Sequence, residues 1–118
     1  MREIVRDQGR LEHIVTSINT LIDNKAKYTF DVVVNDPILF FGFVKHVEII
    51  GEAVYMLSKD FKSAHPATEW DSIEKMRHVL VHGYYAIRPI QVWNVIEKDL
   101  QPLKVQIEQY LSEMEETK

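Results

Sequence analysis

The sequence contains no cysteine. Disulfides, thiolate metal ligands and a cysteine nucleophile are thereby excluded. No apolar run approaches the roughly 18–20 residues that a membrane span needs, so no membrane partner is expected. The opening residues, MREIVRDQGRLEH, lack an uninterrupted apolar core, and no secretory signal is read there. Together these absences point to a cytoplasmic protein. Basic charge is also short. The 14 lysines and arginines are outnumbered by 18 acidic residues, for a net charge of −4, which argues against a general nucleic-acid coat. Nothing repeats internally, and no segment is of low complexity.

What is present suits a single globular domain over residues 1–118. Hydrophobic residues at 46% and charged residues at 27% are ordinary for a soluble fold, and the length allows one core but not two. Leu11, Ile14, Val15, Ile18, Leu21 and Ile22 recur at steps of three and four, which predicts a helix over 2–24 with one apolar face. Val32-Val33-Val34 is β-branched but too short to establish a strand. Asp36-Pro37 is a start signal, an N-cap oxygen followed by proline at the first helical position. The helix it opens, to about Lys59, is apolar nearly all round, as a helix central in a bundle would be or, the reading preferred for so small a chain, one shared between the core and a subunit interface. Gly51 in its middle costs about 1 kcal/mol relative to alanine, which predicts a close helix crossing. KSAHPATE reads as a loop. Thr68 and Asp71 match a capping-box spacing ahead of a helix ending at His82, with Gly83 in the left-handed stop position. Val92, Val95 and Ile96 begin a last amphipathic stretch that Pro102 breaks or kinks and that Leu103, Ile107, Tyr110 and Leu111 continue. The expected fold is all-α: an antiparallel bundle of four to five helices, the last broken near Pro102.

Charge is locally uneven. From Asp71 to Ile90, Lys75, Arg77 and Arg88 face Asp71 and Glu74, with His78 and His82 added, whereas the tail from Glu108 is acidic. Within this span lies RHVLVHGYY, residues 77–85. On composition alone it reads as a helix end, because basic side chains in a last turn complement the helix dipole and its unpaired carbonyls. Its residues also suit another chemistry. Arginine is a permanent cation with a planar fork for phosphate oxygens, and histidine moves protons near neutral pH. RNA cleavage without metal needs a base for the 2′-OH, an acid for the leaving oxygen and a cation for the charge on phosphorus. One chain offers one Arg–His set, and a two-fold dimer with the set at its seam would offer two in one groove. His78 and His82, four apart, share a helix face, but HVLVH lacks the glutamate of H-E-x-x-H and no third ligand stands out. Neither a metal nor a cofactor is expected. Geometry raises one objection: Arg77 and His82 are five apart, about 140° around an ideal helix. Unwinding before Gly83, or the reach of arginine, would have to bring them together.

At these residues the chain resembles the HEPN superfamily, and RHVLVHGY fits the R-x4-H-x-Y pattern of its HepT-like proteins. VEIIGEAVYMLS before the motif, Trp70 at the helix start and VWNVIEKDLQPL after it agree, so the similarity runs from Arg2 to about Leu111. Gly42 and Lys45 depart from it, standing where alanine and arginine are expected. The resemblance implies a dimeric helical bundle acting as a ribonuclease toxin. Its implied partner is a small MntA-type minimal nucleotidyltransferase antitoxin, which adenylylates the motif tyrosine. Carried over, Arg77 and His82 are the catalytic pair, His78 is the polar residue after the arginine, and Tyr84 is the modified tyrosine. Tyr85 is left as a packing residue, and Glu52 receives no role. The leading expectation is a metal-independent endoribonuclease working on RNA as a homodimer. The alternative is a non-catalytic subunit that presents a nucleotide or a tyrosine to its nucleotidyltransferase. A plain dimerising bundle with no site is a third.

Overall fold

The computed structural model describes residues 2–83 and 86–116, with side chains from residue 5 onward. Within them the chain is all-α. Helix α1 spans Arg2–Lys25, α2 Phe30–Val34, α3 Pro37–Met56, α4 Lys59–Ala64 and α5 Trp70–His82; α6, Pro89–Asn94, runs through a π-turn at Val95–Asp99 into α7, Leu100–Glu116.

The apolar stripe of α1 does what its spacing predicts. Leu11, Ile14 and Ile18 are fully buried and Leu21 nearly so, because steps of three and four keep them on one side of the helix. That side packs against α3 and α7. Both neighbours run antiparallel to α1. Asp7 near its start accepts hydrogen bonds from Ser58 N and Oγ at 2.9 and 2.7 Å, just beyond the end of α3. Gln8 Nε2 donates to Glu115 at the end of α7. Asp7 is buried, so these bonds satisfy a carboxylate that would otherwise be costly to bury. Ser58 Oγ also accepts from Phe61 N at 3.1 Å and caps α4.

Asp36 opens α3 as expected: Oδ1 accepts from Ile38 N and Leu39 N, with Pro37 in the first turn. The triple valine lies in short α2, capped by Thr29 and burying Val33. α3 is the central element, between α1 on one side and α5 on the other. It buries Phe43, Val44, Val47, Ile50, Ala53 and Val54, yet leaves Ile38, Phe41, Tyr55 and Met56 exposed.

Two local expectations are corrected and a third is made specific. The first three residues of the expected loop KSAHPATE, Lys62 to Ala64, are instead the end of α4. Thr68 does not cap α5: the helix begins after Glu69 without a side-chain cap, and the Thr68 hydroxyl instead bonds Gln106 Oε1 and Tyr110 OH at 2.9 and 2.6 Å. A buried tertiary partner has displaced a local cap. Around it, Phe61, His65, Trp70 and Tyr110 form an aromatic cluster, and Trp70 Nε1 donates to the His65 carbonyl. This ties the start of α5 to α7. The interruption expected near Pro102 is the π-turn just before it. Leu100 N–H bonds the Val95 carbonyl five residues back, a wider turn that relieves the clash between a proline ring and the carbonyl four residues earlier. The wider turn also suits the four-residue steps of Val92, Ile96 and Leu100, all buried.

α5 packs chiefly on α3. A cleft of about 440 Å³ therefore opens between α5 and α7, lined by Val47, Ile50, Ile73, Met76, Leu100 and Leu103 among others.

Candidate active site

Gly51 sets the geometry. A methyl group on its Cα would overlap Arg77 Cβ and lie 3.1 Å from Arg77 Cγ and 3.3 Å from Arg77 Cα. The close crossing expected at Gly51 is therefore present, and the residue it admits is Arg77. From there the arginine side chain stays on α3. Its Nε donates to Glu52 Oε2 at 2.6 Å, and its Cζ lies 4.9 Å from the Tyr55 ring centroid. Glu52 and Tyr55 are three apart and so share one face of α3. The Arg77 side chain is 23% exposed and that of Glu52 52%. An ion pair this open to water contributes less than about 1 kcal/mol. Its consequence is to fix a direction, not to hold the fold.

The histidines occupy a different side of α5. His78 and His82 are both exposed, with ring centroids 4.7 Å apart, as their one-turn spacing requires. Among the described residues no hydrogen bond, ion pair or ring contact joins Arg77 to either of them. Both routes to convergence within one chain are left untaken: α5 stays helical through His82, and the arginine reaches toward α3. The structure thus brings together His78 with His82, and Arg77 with Glu52 and Tyr55, but not Arg77 with His82. Among the described residues no third His, Cys, Asp or Glu joins the histidine pair as a metal-binding group.

Gly83 ends α5, its N–H donating to the Val79 carbonyl at 2.7 Å. The backbone there has φ −111°, so the left-handed stop is corrected. Glycine serves for space instead: a Cβ would sit 3.0 Å from the Val79 carbonyl oxygen. Tyr84, the expected modification site, and Tyr85 lie outside the described residues. Of the nearby charges, Glu74 is paired with Lys62 at 3.4 Å. The other three histidines are set apart from the site, His13 exposed on α1, His65 in the aromatic cluster and His46 on α3 with a buried Nδ1 that has no hydrogen-bond partner among the described residues.

Sequence reasoning did not assign Glu52 or Tyr55. The signal was available: a mid-helix glycine predicted to admit a neighbour, followed at once by a carboxylate and three residues later by an aromatic ring.

Comparison with known proteins now adds to this geometry. A family model described as "Ribonuclease HepT-like" matches residues 11–110, which include every residue of the site. "Putative RNase TTE0752" of Caldanaerobacter subterraneus subsp. tengcongensis is 37% identical over 101 residues, 86% of this chain and 90% of its own. "Probable ribonuclease HepT" of Thermococcus cleftensis is 30% identical over 98 residues, 83% of this chain and 89% of its own. "Putative RNase MJ1380" of Methanocaldococcus jannaschii is 26% identical, covering 83% of this chain and 90% of its own. No solved structure matches.

Proposed function

The chain belongs to the ribonuclease HepT-like family, and we propose that it is a metal-independent endoribonuclease whose catalytic pair is Arg77 and His82. The observation that carries this reading is the end of α5. A tethered arginine whose Nη1 and Nη2 make no hydrogen bond among the described residues shares the last turns of α5 with two exposed histidines, the next residue and the fifth one on. The matched family region encloses them all. In the reaction, a base takes the 2′-OH proton and the 2′ oxygen attacks phosphorus. The bond from phosphorus to the 5′ oxygen breaks, and an acid protonates that leaving oxygen. His82 is assigned the proton transfer, His78 supports it, and Arg77 neutralises the charge gathering on the phosphoryl oxygens.

Because Arg77 and His82 do not meet in one chain, the working unit is a homodimer, in which two Arg–His sets share a groove. Exposed apolar residues close to the site in sequence, Tyr55 and Met56 on α3 and Val79 and Val81 on α5, support an interface there. The chain acts as the toxin of a toxin–antitoxin pair with an MntA-type minimal nucleotidyltransferase, which adenylylates Tyr84. The added phosphodiester charge would repel an RNA backbone and engage Arg77.

The test is cleavage of an RNA oligonucleotide by purified protein in EDTA. His82→Ala and Arg77→Ala should each lower the rate about 100-fold or more, the scale of a lost general base or a lost oxyanion donor. Folded variants that cleave as well as the parent refute the assignment. One observation favours a second reading: the arginine is already engaged by Glu52 and stands apart from His82. In that reading the chain is a non-catalytic subunit that presents a nucleotide or Tyr84 to its partner. Adenylylation of Tyr84 by the partner and ATP, in a protein that cleaves no RNA, would select it.

A further inference from the structure

We propose that Glu52 is the positioning residue of Arg77, holding the guanidinium by Nε so that its Nη1–Nη2 edge is presented to a phosphate. The inference rests on the ribonuclease reading above, in which Arg77 binds the reacting phosphate.

A guanidinium carries five N–H donors in one plane. A carboxylate meeting it end-on takes both Nη groups and fills the fork that a phosphate would use. Glu52 does not meet it so. Its hydrogen bond is to Nε alone, at 2.6 Å, and among the described residues Nη1 and Nη2 form none. Two further restraints act on the same side chain. Gly51 lets α3 lie against Arg77 Cα, Cβ and Cγ, which fixes the root of the chain. The Tyr55 ring lies 4.9 Å from Cζ, which bounds the guanidinium on the ring's side. The root is held by Gly51, Nε by Glu52 and one side by Tyr55, and no hydrogen bond among the described residues occupies the outer edge. The side chain keeps 23% of its surface exposed, so the arginine as a whole is not sealed from solvent. The sign of this arrangement is informative. A carboxylate beside an RNA-binding cation repels the backbone, so its presence costs affinity and must return something in rate. A planar donor already aimed saves the reorganisation that a free arginine would need.

The opposite role, a brake in which Glu52 competes with RNA for Arg77, predicts the opposite sign. Single-turnover cleavage of an RNA oligonucleotide, and binding of its uncleavable 2′-O-methylated copy, separate the two. Glu52→Gln keeps an oxygen that accepts the Nε–H, and its cleavage rate should stay within about threefold of the parent. Glu52→Ala should lose about 10- to 100-fold in rate, the usual consequence of removing a residue that orients a catalytic group. Its binding of the methylated RNA should be unchanged or tighter. In an Arg77→Lys background, which has no Nε–H to hold, Glu52→Ala should cause no further loss. Far-UV circular dichroism confirms folding, which this half-exposed side chain leaves intact. Faster cleavage by both Glu52 variants overturns the proposal in favour of a brake. A loss from Glu52→Ala that persists undiminished in the Arg77→Lys background overturns it in favour of a structural role. A parent that cleaves RNA beside an equally active Glu52→Ala overturns the role of Glu52 alone. A parent that cleaves no RNA overturns the ribonuclease reading and this one with it.

Discussion

Replacing Gly51 by alanine sets two effects of known size against each other. Alanine is favoured over glycine inside a helix by about 1 kcal/mol. The new methyl, however, overlaps Arg77 Cβ and crowds Cα and Cγ. None of these is the far end of a flexible side chain, so α3 and α5 must separate. Overpacking of this kind costs about 1–3 kcal/mol. The balance is a destabilisation of about 1 kcal/mol, which for a domain of this length lowers the unfolding midpoint by about 3–5 °C. The same helix supplies the control. Gly42 has nothing within 4 Å of an added Cβ, so Gly42→Ala should keep the whole helix gain of about 1 kcal/mol and raise the midpoint. The two variants should thus differ by about 2 kcal/mol, or roughly 6–10 °C. Thermal unfolding followed by circular dichroism at one fixed protein concentration, which any self-association makes necessary, measures the difference. RNA cleavage should fall in Gly51→Ala and hold in Gly42→Ala. If both substitutions raise the midpoint alike, the close crossing at Arg77 is not there and the account of the site fails.

Asp7→Ala should destabilise the fold by about 2 kcal/mol, because Ser58 N and Oγ lose a charged acceptor in a partly buried place; urea unfolding measures it. Thr68→Val should cost about 1–2 kcal/mol by leaving the Tyr110 hydroxyl without that partner. In a Tyr110→Phe background the cost of Thr68→Val should shrink by about 1 kcal/mol. A cost that does not shrink would mean that the threonine acts locally at the helix start after all.

Much of this molecule is legible wherever the physics is local. The α1 stripe, the Asp36-Pro37 start and the end of α5 at His82 each depend on a few consecutive residues, and each is found where the sequence places it. Gly51 is legible as a cost needing a reason, and the crossing is the reason. What could not be read is whatever a distant partner decides. Thr68 carries the right residue type for a cap, but Tyr110 and Gln106 offer its hydroxyl a better bond. Gly83 stops a helix without left-handed backbone, because its helix ends by drawing the N–H onto Val79. The π-turn answers a clash that Pro102 announces, but the sequence does not say whether a helix will bend, break or widen. At the site, the chemistry-bearing residues are visible as a cluster in the chain. Their division into an arginine facing α3 and a histidine pair facing away is a fact of helix rotation and of Glu52, 25 residues upstream in sequence.

The aromatic cluster that grips Trp70 has a mechanical consequence. α5 resembles a cantilever, clamped at its root by Phe61, His65 and Tyr110, braced midway against α3 at Gly51, and carrying His78 and the proposed catalytic His82 near the far end. From Trp70 to His82 the rise is about 18 Å at 1.5 Å per residue. A tilt of only about 5° at the root would swing the tip by about 1.5 Å, and a displacement near 1 Å is enough to cost about 100-fold in a rate. Small repacking at the clamp would therefore surface as lost turnover long before it surfaced as lost stability.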